Sequence, residues 1–142
     1  MAIDRGVLWP MLAMGLLTFI VLSVLFRRRI AEIRVRRLPL RDIATSRGIA
    51  MLEDVAPADN FRNLFELPVL FYVACITLTV TATTTPVLSG LAWGYVALRG
   101  WHSAIQLTHN HVRRRFQAFV ASALVLLALW LGMAAELSRG LR

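Results

Sequence analysis

Four apolar runs, each about as long as a bilayer crossing, alternate along this chain with short polar or basic segments. Val7 to Phe26 carries no charge over 20 positions, and Arg27, Arg28 and Arg29 end it abruptly. Leu67 to Thr85 forms a second run that closes in threonines before Pro86. Val87 to Thr108 forms a third, interrupted by Arg99 and His102, and Phe116 to Ala135 a fourth, uncharged until Glu136. About 20 apolar residues cross a bilayer core as a helix. The pattern therefore predicts four transmembrane helices, at about 7–26, 67–85, 87–108 and 116–135, with a cytoplasmic loop at 27–63 and a tight hairpin around Thr83 to Pro86. The expected fold class is all-α, an integral membrane four-helix bundle forming one domain over residues 1–142. The first run lacks a small-residue cleavage site, so it reads as a retained helix and not as a secretory signal.

Inside the long first connection, Ile30, Ile33 and Leu38 continue a helical apolar spacing, so the first helix is expected to project past the membrane edge until Pro39. From Leu40 to Ala58 the periodicity fades and a loop is expected. Asp59 or Asn60 would cap the second helix, since either side chain can accept from free amides of a first turn.

Composition strengthens the membrane reading. The chain is 58% hydrophobic and 17% charged, against about 45–50% and 25% in soluble domains. The net charge is +8, and all 16 basic residues are arginine. Such a balance could suit nucleic acid, but here the arginines gather in loops between apolar runs, so no nucleic-acid partner is expected. The 27–63 segment carries nine arginines against five acids, and Arg113, Arg114 and Arg115 follow the third run, whereas the opposite side has only Arg5, Arg139 and Arg142. Arginine marks the cytoplasmic side, which places both termini outside. Arg34, Arg36 and Arg37 lie where anionic lipid headgroups attract them. The single cysteine, Cys75, excludes an intramolecular disulfide and reads as a buried, inert thiol.

Ionisable groups inside a span cost at least about 2.5–3.5 kcal/mol each at the helix centre and persist where they face protein or water. In the third run, Arg99, His102, Gln106, His109 and Arg113 draw one stripe along a helix. Asn63 and Glu66 share a face at the start of the second. These groups are expected to converge on one wet, cytoplasmic-side pocket. A Glu66–Arg99 pairing would lower the burial cost of both charges, although helix rise puts Arg99 roughly 9 Å deeper. The plainer readings stand beside this. Arg62 and Glu66 are an ordinary i, i+4 surface pair, Arg99 can serve as a tie between helices, and Arg113 to Arg115 can be a stop signal. His109 and His111 have no cysteine or second carboxylate at ligand spacing, so no metal site is expected. Gly90 and Gly94, a G-x-x-x-G, predict close helix packing. Trp9, Trp93, Trp101 and Trp130 read as packing or interface anchors.

The N-x-x-E of Asn63 to Glu66, with Pro68 close behind, and the R-x-x-H-S of Arg99 to Ser103 resemble the membrane-associated proteins in eicosanoid and glutathione metabolism. That family includes microsomal glutathione transferases and leukotriene C4 synthase. The resemblance covers essentially the whole chain, and the stretch N-L-F-E-L-P-V-L-F-Y is similar to bacterial members of unassigned activity. It implies a homotrimer of four-helix bundles in a bacterial inner membrane, with glutathione between subunits near the cytoplasmic face. By that resemblance Asn63 and Glu66 would hold the glutamyl end of glutathione. Arg99, with His102 and Gln106 on its stripe, would line the same pocket. An arginine ending the first span, such as Arg28, and Arg113 or Arg115 opening the fourth would meet the carboxylates and the thiolate. Guanidinium groups bind carboxylates bidentately, and a nearby cation favours the nucleophilic thiolate.

Two positions depart from the transferase pattern. Gln106 stands where transferases commonly carry a tyrosine near the sulfur, and Asp59 where they carry an arginine. The resemblance thus implies either a glutathione transferase or peroxidase acting on lipophilic electrophiles, or a non-catalytic small subunit of a larger membrane complex. A cation exporter fits less well, because the pocket is dominated by arginine and its one acid, Glu66, lies near the membrane edge.

Overall fold

The computed structural model describes residues 5–39, 41–42, 44–49 and 51–140, and among these it has helices and turns but no strand. Arg142, one of the arginines assigned to the outer side, and Leu40, where the loop is expected to begin, lie outside the described residues. The elements are α1 (Leu8–Arg36), α2 (Ser46–Ile49), α3 (Ala56–Asn63), α4 (Leu67–Thr81), α5 (Pro86–Leu107) and α6 (Val112–Gly140).

α1 does continue beyond the first apolar run, through Arg27 to Arg29, and stops at Arg36. Arg37 takes a left-handed conformation, with φ at 52°, and its N–H returns to the Arg34 carbonyl. Pro39 follows directly after Leu38, disfavouring further helix there. At its other end the bundle turns tightly. α4 ends at Thr81, four residues short of the expected boundary, with Ala82 left-handed. Thr85 then caps α5 by accepting the Leu88 N–H, and Pro86 opens the helix.

Three expectations are corrected. The 40–58 segment is not wholly loop, since it contains α2 and the start of α3. Neither Asp59 nor Asn60 caps a helix. α3 begins at Ala56 with Val55 at the cap position and no side-chain cap. Pro57 explains the earlier start, because a first-turn proline has its φ preset and no donor left to satisfy. Finally, Arg113 to Arg115 belong to the first turn of α6, and the α5–α6 connection is only Thr108 to His111, with Asn110 left-handed.

α3 and α4 would form one rod but for Pro68. Its ring nitrogen cannot donate to the Leu64 carbonyl and its ring would clash there, so the chain breaks at Leu64 to Glu66. Among the described residues, three segments are long and apolar enough to cross a membrane: Leu8–Arg36, Ala56–Thr81 and Val112–Arg139. α5 has 22 residues, about 33 Å of helix, and its polar stripe sets it apart from those three segments.

α1 packs beside α4 and α5, and α6 beside α4 and α5, so the consecutive helices α4 and α5 lie on a diagonal of the bundle. They meet across it through Phe71 and Tyr95, whose rings stack at 4.7 Å. Met14 and Val21 of α1, Leu78 of α4, Leu88 and Ala92 of α5 and Leu129 of α6 complete the core. Around it the usual distribution is inverted. Phe19, Val80, Val87, Leu124 and Leu131 face outward, while Asn60, Arg99, His102, Ser103, Gln106 and Ser122 are buried. A chain that offers hydrocarbon to its surroundings and hides its polar groups is built for lipid.

The expected glycine contact also moves. A side chain at Gly90 would meet nothing, and one at Gly94 only ordinary contact with Val125. The close approach is at Gly132, where an added Cβ would lie 2.7 Å from Leu88.

Candidate functional site

Breaking α3 from α4 leaves the Asn63 carbonyl without the amide that a continuous helix would supply. Arg99 takes that place. Its Nη2 donates to the Asn63 carbonyl at 2.9 Å, setting a cation at the negative end of α3. The expected Glu66–Arg99 pairing is thereby replaced, because the break presents a carbonyl where a straight helix would have presented only side chains. Glu66 itself is exposed, at the cap position of α4.

Arg99 is fully buried, and its Nε and Nη1 have no partner among the described residues. The guanidinium carbon sits 5.7 Å from the centre of the Phe119 ring on α6, a cation–π arrangement. One turn deeper on α5 the Tyr95 hydroxyl is also buried without a partner among the described residues.

His102 and Gln106 continue the stripe. His102 Nδ1 lies 3.1 Å from the Arg115 carbonyl, and its Nε2 lies 3.1 Å from Gln106 Oε1. A carbonyl only accepts, so Nδ1 carries a proton. Asn63 Nδ2 also reaches Gln106 Oε1, at 3.5 Å, the weakest link of this network. Beside it, Ser103 Oγ donates to Asn60 Oδ1 at 3.0 Å, and Asn60 Nδ2 faces the Ser103 carbonyl at 3.5 Å. This reciprocal pair clamps α3 to α5.

The structure thus gathers Asn63, Arg99, His102 and Gln106, and leaves other expected members out. His109 and Arg113 are exposed, because α5 ends at Leu107 and the stripe cannot continue past the helix. Arg115 contributes its backbone carbonyl, while its guanidinium donates to Asn110 Oδ1 at 2.7 Å. Arg28 is spent on Asp54 and on the Leu107 carbonyl at the end of α5. Nor is the cluster an open pocket. Arg99, His102 and Gln106 are each at most 2% exposed in the single chain.

A second polar centre anchors the segment before α3. Glu32 on α1 accepts the backbone N–H groups of Glu53 at 2.7 Å and Asp54 at 3.3 Å, and pairs with Arg36 at 2.9 Å. Donation from the Glu53 amide, with help from Arg36 and against some desolvation, holds the Glu32 carboxyl below its ordinary range. Arg36 also donates to the Met51 carbonyl.

The sequence offers Asn60 only as a helix cap, and misses Tyr95 and Phe119. Asn60 had a signal, an amide three residues before Asn63 on the same helix face. Phe119 had none, since its place beside Arg99 depends on how α5 and α6 pack.

No curated protein and no solved structure matches the chain significantly. A family model does, that of the MAPEG family, over residues 7–135. That match covers α1 to α5, most of α6 and the whole buried cluster, so the chain belongs to the MAPEG family of membrane helical bundles.

Proposed function

We propose that the protein binds glutathione on the α3–α5 cluster and uses it against lipophilic electrophiles or hydroperoxides, as a transferase- or peroxidase-like enzyme. The observation that carries this reading is Arg99. A fully buried guanidinium with two unclaimed donor atoms is costly unless an acceptor arrives. Glutathione brings carboxylates for such donors and an ammonium for Glu66. Asn63 is half-buried between the two, and its 3.5 Å contact to Gln106 is the one a ligand displaces most easily. The fit extends to assembly, because Glu66 faces out of the chain and a neighbouring copy would close the site over it. By the same reading the protein is a homotrimer in a bacterial inner membrane, with its arginine-rich ends cytoplasmic and both termini outside. Arg113 is exposed on the first turn of α6 and stands as the cation for the thiolate.

A second reading, a non-catalytic subunit of a larger membrane complex, draws on Gln106. Its side-chain amide is engaged by His102 and Asn63, and an amide supplies no phenol to stabilise a thiolate. Thermal unfolding in detergent separates the two. Glutathione at ten times its Kd raises Tm by about 3 °C or more, and Glu66→Gln removes the shift. A parent protein whose Tm ignores millimolar glutathione belongs to the second reading.

A further inference from the structure

On the outer face of the bundle, away from the buried cluster, α5 and α6 enclose a cavity of about 390 Å³. Its walls change character along the membrane axis. His109 and Arg114 stand at the mouth beside the α5–α6 connection, Trp101 and Gln117 follow, and Leu98 and Ala121 line the deep end. From Arg114 to Ala121 is seven residues of α6, roughly 10 Å. Arg114 has no acidic partner among the described residues. Its neighbour Arg115 is already held by Asn110, so Arg114 is the cation left at this mouth.

We infer that this groove is a binding site for one anionic phospholipid, its phosphate at Arg114 and an acyl chain along Leu98 and Ala121. The charge gradient argues for a lipid over a soluble anion, since a phosphate alone would fill the mouth and leave the apolar floor empty. Trp101 is 59% exposed at the groove's edge, between the charged mouth and the apolar floor. The site lies on a different face of α5 from Arg99, His102 and Gln106, so it does not depend on whether glutathione binds.

Native mass spectrometry of the purified full chain tests this, with phosphatidylglycerol and phosphatidylcholine of identical acyl chains. Phosphatidylglycerol should be retained about fivefold more strongly, and Arg114→Gln should bring the two lipids to parity. Arg41→Gln, on the exposed loop, should leave the preference intact. In vesicles containing phosphatidylglycerol with brominated chains, tryptophan fluorescence should be quenched less in Trp101→Phe than in the parent. Equal retention of both lipids, or a preference untouched by Arg114→Gln, overturns the site. So does displacement of the lipid by inorganic phosphate alone, or an Ala121→Cys disulfide between neighbouring copies.

Discussion

Arg99 concentrates the physics of this protein in one side chain. It caps α3 through the Asn63 carbonyl, rests against Phe119, and keeps two nitrogens unpartnered. A buried guanidinium with unpartnered donors is itself costly, and that cost offsets the loss of its one hydrogen bond when an apolar side chain of similar length takes its place. Arg99→Met should therefore change the stability of the ligand-free protein by no more than about 1 kcal/mol while abolishing glutathione binding, as read by unfolding with and without the ligand. The Asn60–Ser103 pair behaves in the opposite way. Asn60→Ala strands a buried hydroxyl and should cost about 1–3 kcal/mol. Because the two groups satisfy each other, Asn60→Ala with Ser103→Ala should cost less than the sum of the single changes, measured in a double-mutant cycle. At this scale the sequence was a partial guide. The spacing of Arg99, His102 and Gln106 announced a shared face, and the structure buries all three. It could not announce that Arg99 would find a backbone carbonyl, because that acceptor exists only once Pro68 has broken the helix.

Among the elements, the four long helices were legible because lipid imposes one rule, a run of apolar residues about 20 long. Their ends were less so. Pro57 and Pro68 set the limits of α3, whereas the asparagine and aspartate that looked like caps serve other ends, Asn60 above all. The Glu32 centre was invisible to periodicity, since it joins α1 to backbone amides some twenty residues away. It makes the α1–α3 connection a folded strap. In Glu32→Gln an amide nitrogen replaces one accepting oxygen and the charge pairing with Arg36 is lost, so the strap should loosen. Limited trypsin digestion should then cut faster after Arg41 or Arg47 than in the parent. The same strap should respond to acid. Because the folded carboxyl titrates below its unfolded value, its contribution is present above about pH 4.3 and fades as pH falls through the lower folded value. Protection from an acid-active protease should decline over that range and not near neutrality.

For the whole molecule, the inverted distribution of polar and apolar groups and the MAPEG match describe one membrane bundle with a buried polar seam between α3, α5 and α6. Membrane class and the four longest helices were readable from composition and run length. Whether the seam is open was not, because side-chain exposure depends on the break at Leu64 to Glu66. The most direct measurement is equilibrium binding of glutathione to the purified protein and to Arg99→Met. Saturable binding to the parent, lost in the variant, is the result expected here. A parent that binds no glutathione, or a variant that binds it as well, would contradict the role given to the buried guanidinium.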